Sequence, residues 1–297
     1  MLSRLVAVAM LVLALTGCTE ELPPRTDPPT GPISSLPPGA TVLPEPEIDA
    51  MLRGADPVDL PLTLYMIPMD GLADLELAVE QALFVCMHEM GHTGFEKGVT
   101  SDWTPESFVE REEVEYLDPA RAAEMGYPRP ALNPDLVKKA AARPSRQVTQ
   151  PEGEDWPDCE KNARSHIYVS PGPPVDVRVL VDSTKAAAMA DSRMREAVDG
   201  WRVCMGKQGF AYRLPSLPRE NPAWRSRPAG QPAGEEERRT ARTDAECQEE
   251  VNLAGVYKTL RAAYETELLR LQPDEIETAR QVTSEWLDRA RMVLGGA

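Results

Sequence analysis

The same local sequence occurs twice in this chain, each time at the end of an amphipathic stretch. Both copies read Cys-Met-x-x-x-Gly, at residues 86–91 and 204–209. Apolar residues spaced three and four apart lead into each copy, after Asp70 in the first and after Asp182 in the second, and this spacing predicts a helix in each place. The closing glycine is typical of a helix C-cap with positive φ. We therefore expect a mainly α-helical body of two related halves.

Each copy is followed by a proline-containing irregular stretch and a further cysteine, Cys159 in the first half and Cys247 in the second. With Cys18 set aside, four of the five cysteines remain. An even number in an exported chain predicts disulfides, and four cysteines allow three pairings. If each half is one unit, the economical pairing is Cys86–Cys159 with Cys204–Cys247. Reactive or metal-binding thiols are less favoured, because no two cysteines stand as close as in a Cys-x-x-Cys site.

The N-terminus has the pattern of an export signal. A short segment with one positive charge, Arg4, precedes an apolar run that ends at Leu15, too short and too early for a membrane-spanning helix. Small residues then stand before Cys18, as in the bacterial lipobox. This predicts a signal peptide at 1–17 and a lipidated, palmitate-type anchor at Cys18, on the extracytoplasmic face of the cell membrane. The alternatives are an ordinary signal peptide or an apolar N-terminus with an incidental cysteine.

A proline-rich segment follows the predicted anchor. Eleven prolines lie between Thr19 and Pro61, with almost no apolar periodicity. Such a composition favours extended, solvated chain, so residues 18–60 are predicted to be a disordered tether. The folded body would then comprise a first helical unit at 61–175 and a second at 176–297, which includes the C-terminal helices.

Two further apolar stripes close the chain, one from Leu253 to Leu271 and one from Ile276 to Val293, with Pro273 between them. They predict two helices broken at the proline. Such stripes can form a coiled coil with a partner, but packing against the protein's own core is the favoured interpretation.

The charge excludes one class of function. The formal net charge is −16, with only 32 Lys and Arg residues. Because affinity for the phosphate backbone comes from basic residues that release counterions, we expect no binding to nucleic acid.

Residues His88, Glu89 and His92 match His-Glu-x-x-His. On a helix this pattern puts two imidazoles one turn apart to bind zinc, while the glutamate activates the metal-bound water. The site would need a third ligand, and the second copy of the repeat has no such histidines. The candidates for the third ligand are Glu112, Glu113, Glu115 and His166. We therefore treat zinc, with His88 and His92 as ligands and Glu89 as base, as the alternative to a protein without metal or cofactor.

The acidic runs and the tryptophans of the chain favour a structural role over a functional one. The acidic runs at 110–113 and 235–237 are predicted to be solvated helix faces rather than an acid–base pair. Trp103, Trp156 and Trp224 lie in proline-rich, loop-like surroundings, where they could line a groove for a glycan or peptide. More often such residues attach a loop to the core.

The second half carries a resemblance to a known group of proteins. Its sequence reads Trp-Arg-Val-Cys-Met at 201–205 and Gly-Phe-Ala-Tyr at 209–212, followed by Asp-Ala-Glu-Cys at 244–247. Together these segments resemble uncharacterised exported proteins and lipoproteins of actinobacteria, the high-GC Gram-positive bacteria, over about residues 60–270. The resemblance implies an envelope location and a helical, disulfide-tied body. It brings no known activity.

These features together predict a membrane-anchored envelope lipoprotein that acts as a binding or scaffold module without catalytic activity. Its partner would be another envelope protein, for instance in export or cell-wall machinery, or a small ligand captured between the two halves. A zinc-dependent metallopeptidase is the alternative.

Overall fold

The computed structural model describes residues 51–295, in which the chain forms nine α-helices and no β-strand. The helices are α1 Met69–Glu89, α2 Pro119–Met125, α3 Pro134–Ala141, α4 Gln150–Ile167, α5 Val177–Ala190, α6 Ser192–Lys207, α7 Glu235–Glu250, α8 Leu253–Leu271 and α9 Pro273–Gly295. The predicted mainly α-helical class is confirmed. None of the helices in this part of the chain is long and apolar enough to cross a bilayer. The predicted signal peptide, Cys18 and most of the predicted tether lie outside the described residues.

The two disulfides join equivalent pairs of helices. Cys86 on α1 is bonded to Cys159 on α4, and Cys204 on α6 is bonded to Cys247 on α7. The Cα atoms are 5.6 Å apart in both. The sequence allowed three pairings of these four cysteines, and the structure has the one that keeps each disulfide within one half of the body.

The repeated Cys-Met-x-x-x-Gly motif forms the same type of helix C-terminus in both copies. Gly91 has φ +96° and Gly209 has φ +88°, both in the left-handed region that favours glycine. The residue after each glycine donates its N–H to the methionine carbonyl of the motif at 3.0 Å: His92 to Met87, and Phe210 to Met205. This is the Schellman pattern, in which the N–H after the glycine satisfies a carbonyl of the last turn. The motif is therefore a helix stop placed directly after a disulfide.

The second amphipathic stretch forms two helices rather than one, so the prediction of a single helix after Asp182 is wrong. Asp191 interrupts it in an extended conformation, with ψ 142°, and its carboxylate accepts a hydrogen bond from the backbone N–H of Arg193 at 3.0 Å. The Tyr264 hydroxyl on α8 also donates to it, at 3.1 Å. The spacing of the apolar residues continues unchanged across Asp191. Periodicity alone therefore does not reveal the break between the two helices, which depends on the N-cap role of Asp191.

The stretch before Cys159 is helical as well, although its prolines suggested an irregular segment. Thr149 and Glu152 form a reciprocal capping box at the start of α4. The Arg146 guanidinium donates to both oxygens of Glu152 at 2.9 Å. That contact, with the N–H of Thr149, lowers the pKa of Glu152 to about 2. The cap starts the helix strongly enough to include Pro157.

A tryptophan–aspartate bond runs beside the second disulfide. Trp201 and Asp244 each lie three residues before their cysteine, and the indole N–H donates to the carboxylate at 2.8 Å. Tyr127 and Gln248 donate to the same carboxylate at 3.0 Å, and Asp244 is 1% exposed. The residues that carry the actinobacterial resemblance thus link α6 to α7 in the core.

The helices of the two halves pack across the predicted boundary at 175/176. One core cluster joins α1 and α4 to Ala290 of α9, and a second joins Ala122 of α2 to Ala241 and Ala245 of α7. The predicted break between α8 and α9 at Pro273 is confirmed, and both helices bury apolar residues in the protein's own core.

The chain contacts α8 from Leu52 onward, ahead of the predicted boundary at residue 60. The Leu52 N–H donates to Thr259 Oγ1 at 2.9 Å, and its carbonyl accepts from Asn252 Nδ2 at 2.7 Å. A Cβ on Gly255 would lie 1.9 Å from the Leu52 oxygen, so only glycine permits this approach. Polar side chains of α8 thus hold the last part of the predicted tether.

Candidate functional site

The His-Glu-x-x-His residues lie at the end of α1 rather than along it. His88 is in the last turn, whereas His92 follows the helix stop at Gly91. His88 Nε2 lies 2.9 Å from the carbonyl oxygen of Phe95, and His92 Nε2 lies 2.7 Å from Asp155 Oδ2 on α4. The two imidazoles are therefore not stacked on one helix face, and each uses Nε2 for a contact within the protein.

The candidate third ligands do not join these histidines. Glu112 bonds to Tyr257 and Arg261 on α8, Glu115 pairs with Arg219, and His166 is exposed on α4. Residues 51–295 contain no cluster of three His, Cys, Asp or Glu side chains arranged to hold a metal ion. The geometry instead gives His92 a structural role, bridging α1 to α4 beside the first disulfide.

The substitution His92→Ala should lower the free energy of unfolding by about 1 kcal/mol, because it removes a partly buried hydrogen bond between the segment that follows α1 and helix α4. The side chain of His92 is only 14% exposed. Its removal also takes away the hydrogen-bond partner of Asp155. Urea unfolding measures the change, with exposed His166→Ala as the matched control.

Equal stability in the two variants would contradict this bridging role. Zinc that raises the melting temperature of the native protein, but not of His92→Ala, would favour the metallopeptidase alternative instead.

A second candidate site lies between the two halves. It is a cleft of about 560 Å³ whose walls are formed by residues 106–115, 128–132 and 219–229. The first two walls belong to the chain between Cys86 and Cys159, and the third belongs to the chain between Cys204 and Cys247. The cleft is therefore built where the two disulfide-closed loops meet.

Arginine is the most frequent residue type in the lining. The five arginines are Arg111, Arg129, Arg219, Arg225 and Arg227, and the four glutamates are Glu106, Glu110, Glu115 and Glu220. The lining therefore carries a formal charge of +1, in a chain with a net charge of −16.

Glu237 of α7 holds two of the lining arginines from behind the cleft. Its carboxylate is 2% exposed and accepts from Arg227 through both oxygens at 2.8 Å. The Tyr127 N–H donates to it at 3.2 Å, and Arg129 Nη2 lies 3.6 Å away. One carboxylate thus faces two guanidinium groups. Burial lowers the pKa of Arg129, and the nearby positive charge of Arg227 lowers it further. The negative charge of Glu237 raises the pKa of Arg129 and so offsets part of this effect.

Ion pairs fix the other walls. Arg219 pairs with Glu115 at 2.8 Å and so joins the wall at 219–229 to the wall at 106–115. Lys185 of α5 donates to Glu110 at 3.0 Å and to the Arg111 carbonyl at 3.1 Å. These contacts hold irregular segments in a fixed shape before any ligand arrives.

Two guanidinium groups from different segments of the lining remain unpaired. Arg111 and Arg225 are exposed, and among the described residues their side chains have no hydrogen bond or ion pair. Among the four glutamates of the lining, Glu106 is the one that has no cationic partner within residues 51–295. It is also exposed. The free groups of the cleft are therefore mainly positive.

No protein-family model, curated protein or solved structure matches this chain. The resemblance to exported actinobacterial proteins stays a prediction, and functional assignment rests on the geometry of the site.

The prediction of solvated helix faces is wrong for the acidic run at 110–113 and for one residue of the run at 235–237. Residues 110–113 form an extended wall rather than a helix face, because cations of α5 and α8 hold Glu110 and Glu112. Glu235 and Glu236 are exposed as expected, but Glu237 is buried by its arginine contacts.

The three tryptophans agree better with the prediction that such residues attach loops to the core than with a groove for a glycan or peptide. Trp103 and Trp224 are buried and attach irregular segments to the core. Trp156 lies on α4 rather than in a loop, and packs against the cluster around the first disulfide.

Proposed function

We propose that this protein is a lipid-anchored extracytoplasmic binding protein without catalytic activity, which holds its ligand in the cleft between the two disulfide-closed loops. The observation that carries the proposal is the cleft itself: about 560 Å³, within the range of small-molecule sites, with walls held by ion pairs.

The location is supported by two independent features. The lipobox-like sequence before Cys18 predicts an anchor, and the two disulfides suit an oxidising compartment outside the cytoplasm. A binding role, rather than chemistry, is supported by the histidines, since His88 and His92 serve as contacts within the protein.

The substitution Cys18→Ala should move the full-length protein from the membrane fraction to the soluble fraction, because no acyl chain can then be attached. The measurement is cell fractionation together with incorporation of a palmitate analogue, which the native protein should take up. A Cys18→Ala variant that stays in the membrane fraction and keeps the label would show that the anchor lies elsewhere.

A further inference from the structure

We propose that the cleft binds an oxyanion ligand that carries at least two phosphate or carboxylate groups, one for each of the unpaired guanidinium groups of Arg111 and Arg225. This rests on the proposed binding function and names its ligand class.

The chemistry of the lining favours oxyanions over neutral ligands. A guanidinium group presents several N–H donors in one plane, which matches the paired oxygens of a carboxylate or phosphate. Arg111 and Arg225 have these donors free, in a chain whose other exposed arginines commonly pair with acids, such as Arg242 with Glu246 and Arg289 with Glu285. Two free donor groups in the lining of one cavity offer partners to an anionic ligand.

The two groups come from different segments of the cleft lining. Arg111 lies on the wall at 106–115 and Arg225 on the wall at 219–229. A ligand with two anionic groups can give each guanidinium its own partner. Arg129, whose Nε is buried without a partner, lies in the third segment of the lining.

Glu106 works against this binding and provides an internal test. It is exposed in the same lining, and its negative charge lies free of cations among residues 51–295. Removing its charge should therefore strengthen binding of an anion, while removing the charge of an arginine should weaken it. A purely structural cleft would show no such opposite effects.

The experiment measures binding of tripolyphosphate and of citrate to the disulfide-bonded protein by isothermal titration calorimetry at low ionic strength. Native protein should bind at least one of them saturably, with affinity that falls as salt is added. The double variant Arg111→Gln/Arg225→Gln should bind at least tenfold more weakly, and Glu106→Gln about threefold more tightly. Tripolyphosphate and citrate, as separate arms, distinguish a phosphate ligand from a carboxylate ligand.

The matched control changes the same charge elsewhere. Arg242→Gln/Arg291→Gln removes two exposed arginines on α7 and α9, outside the cleft, and should leave the affinity within twofold of the native value. Absence of saturable binding by either probe, or equal weakening in both double variants, would overturn the proposal. The Cys18→Ala fractionation is independent of these titrations, so failure of the anchor and failure of the ligand class give different results.

Discussion

Replacing both cysteines of either disulfide with serine should lower the free energy of unfolding by about 2–4 kcal/mol, since each bridge closes a long loop and restricts the unfolded chain. The cysteines are 73 residues apart in Cys86–Cys159 and 43 apart in Cys204–Cys247. The longer loop should therefore contribute about 0.5 kcal/mol more by loop entropy. Urea unfolding of the paired variants Cys86→Ser/Cys159→Ser and Cys204→Ser/Cys247→Ser measures both effects.

The control is the native protein unfolded under reducing conditions, which should lose the contributions of both bridges together. An oxidised paired variant as stable as the native protein would show that the corresponding disulfide does not stabilise the fold. Peptide mapping that joined Cys86 to Cys204 would contradict the arrangement of the helix pairs.

The second large effect concerns pH and Asp244. Burial raises the pKa of this carboxyl group from 3.8 to about 6, although Gln248, Trp201 and Tyr127 all donate hydrogen bonds that act in the opposite direction. Because the folded state then binds this proton more tightly than the unfolded state, the contribution of Asp244 to stability is greatest at low pH and is lost as the pH rises through about 4 to 6.

The substitution Asp244→Asn should abolish this part of the pH dependence. Asparagine can accept from Trp201 and Gln248 through Oδ1 and donate to the Tyr127 hydroxyl through Nδ2, so the hydrogen bonds can be kept while the charge is lost. The free energy of unfolding of the variant, relative to native protein, should rise by about 2 kcal/mol between pH 4 and pH 7.

Urea unfolding at a series of pH values provides the measurement. Asp199→Asn is the matched control, because Asp199 lies on α6 with a side chain that is 71% exposed. Parallel stability curves for native protein and Asp244→Asn would contradict the raised pKa.

The helices at the two ends of the body could be predicted because their signals are local. Apolar spacing places α1, α8 and α9, and Pro273 marks the last break. The repeated cysteine and glycine also predict the disulfide pairing once each half is treated as a unit. These features need no knowledge of what lies nearby in the fold.

The cleft could not be predicted in the same way, because it depends on contacts between distant parts of the chain. Glu237 belongs to a run of three glutamates, and only its contacts with Arg227 and Tyr127 distinguish it from its neighbours. The break at Asp191 depends similarly on Tyr264, which is 73 residues away. A weak signal did exist at 219–229, where three arginines and two prolines lie within eleven residues.

The positions of the two disulfides also determine how this protein would respond to proteolysis. Two long irregular segments, at 92–118 and 208–234, offer backbone to a protease, and each lies inside a disulfide-closed loop. One cut in either segment would leave the two pieces covalently joined, and they would separate only on reduction. A nicked molecule outside the cytoplasm would thus keep both sides of its cleft on a single covalent framework.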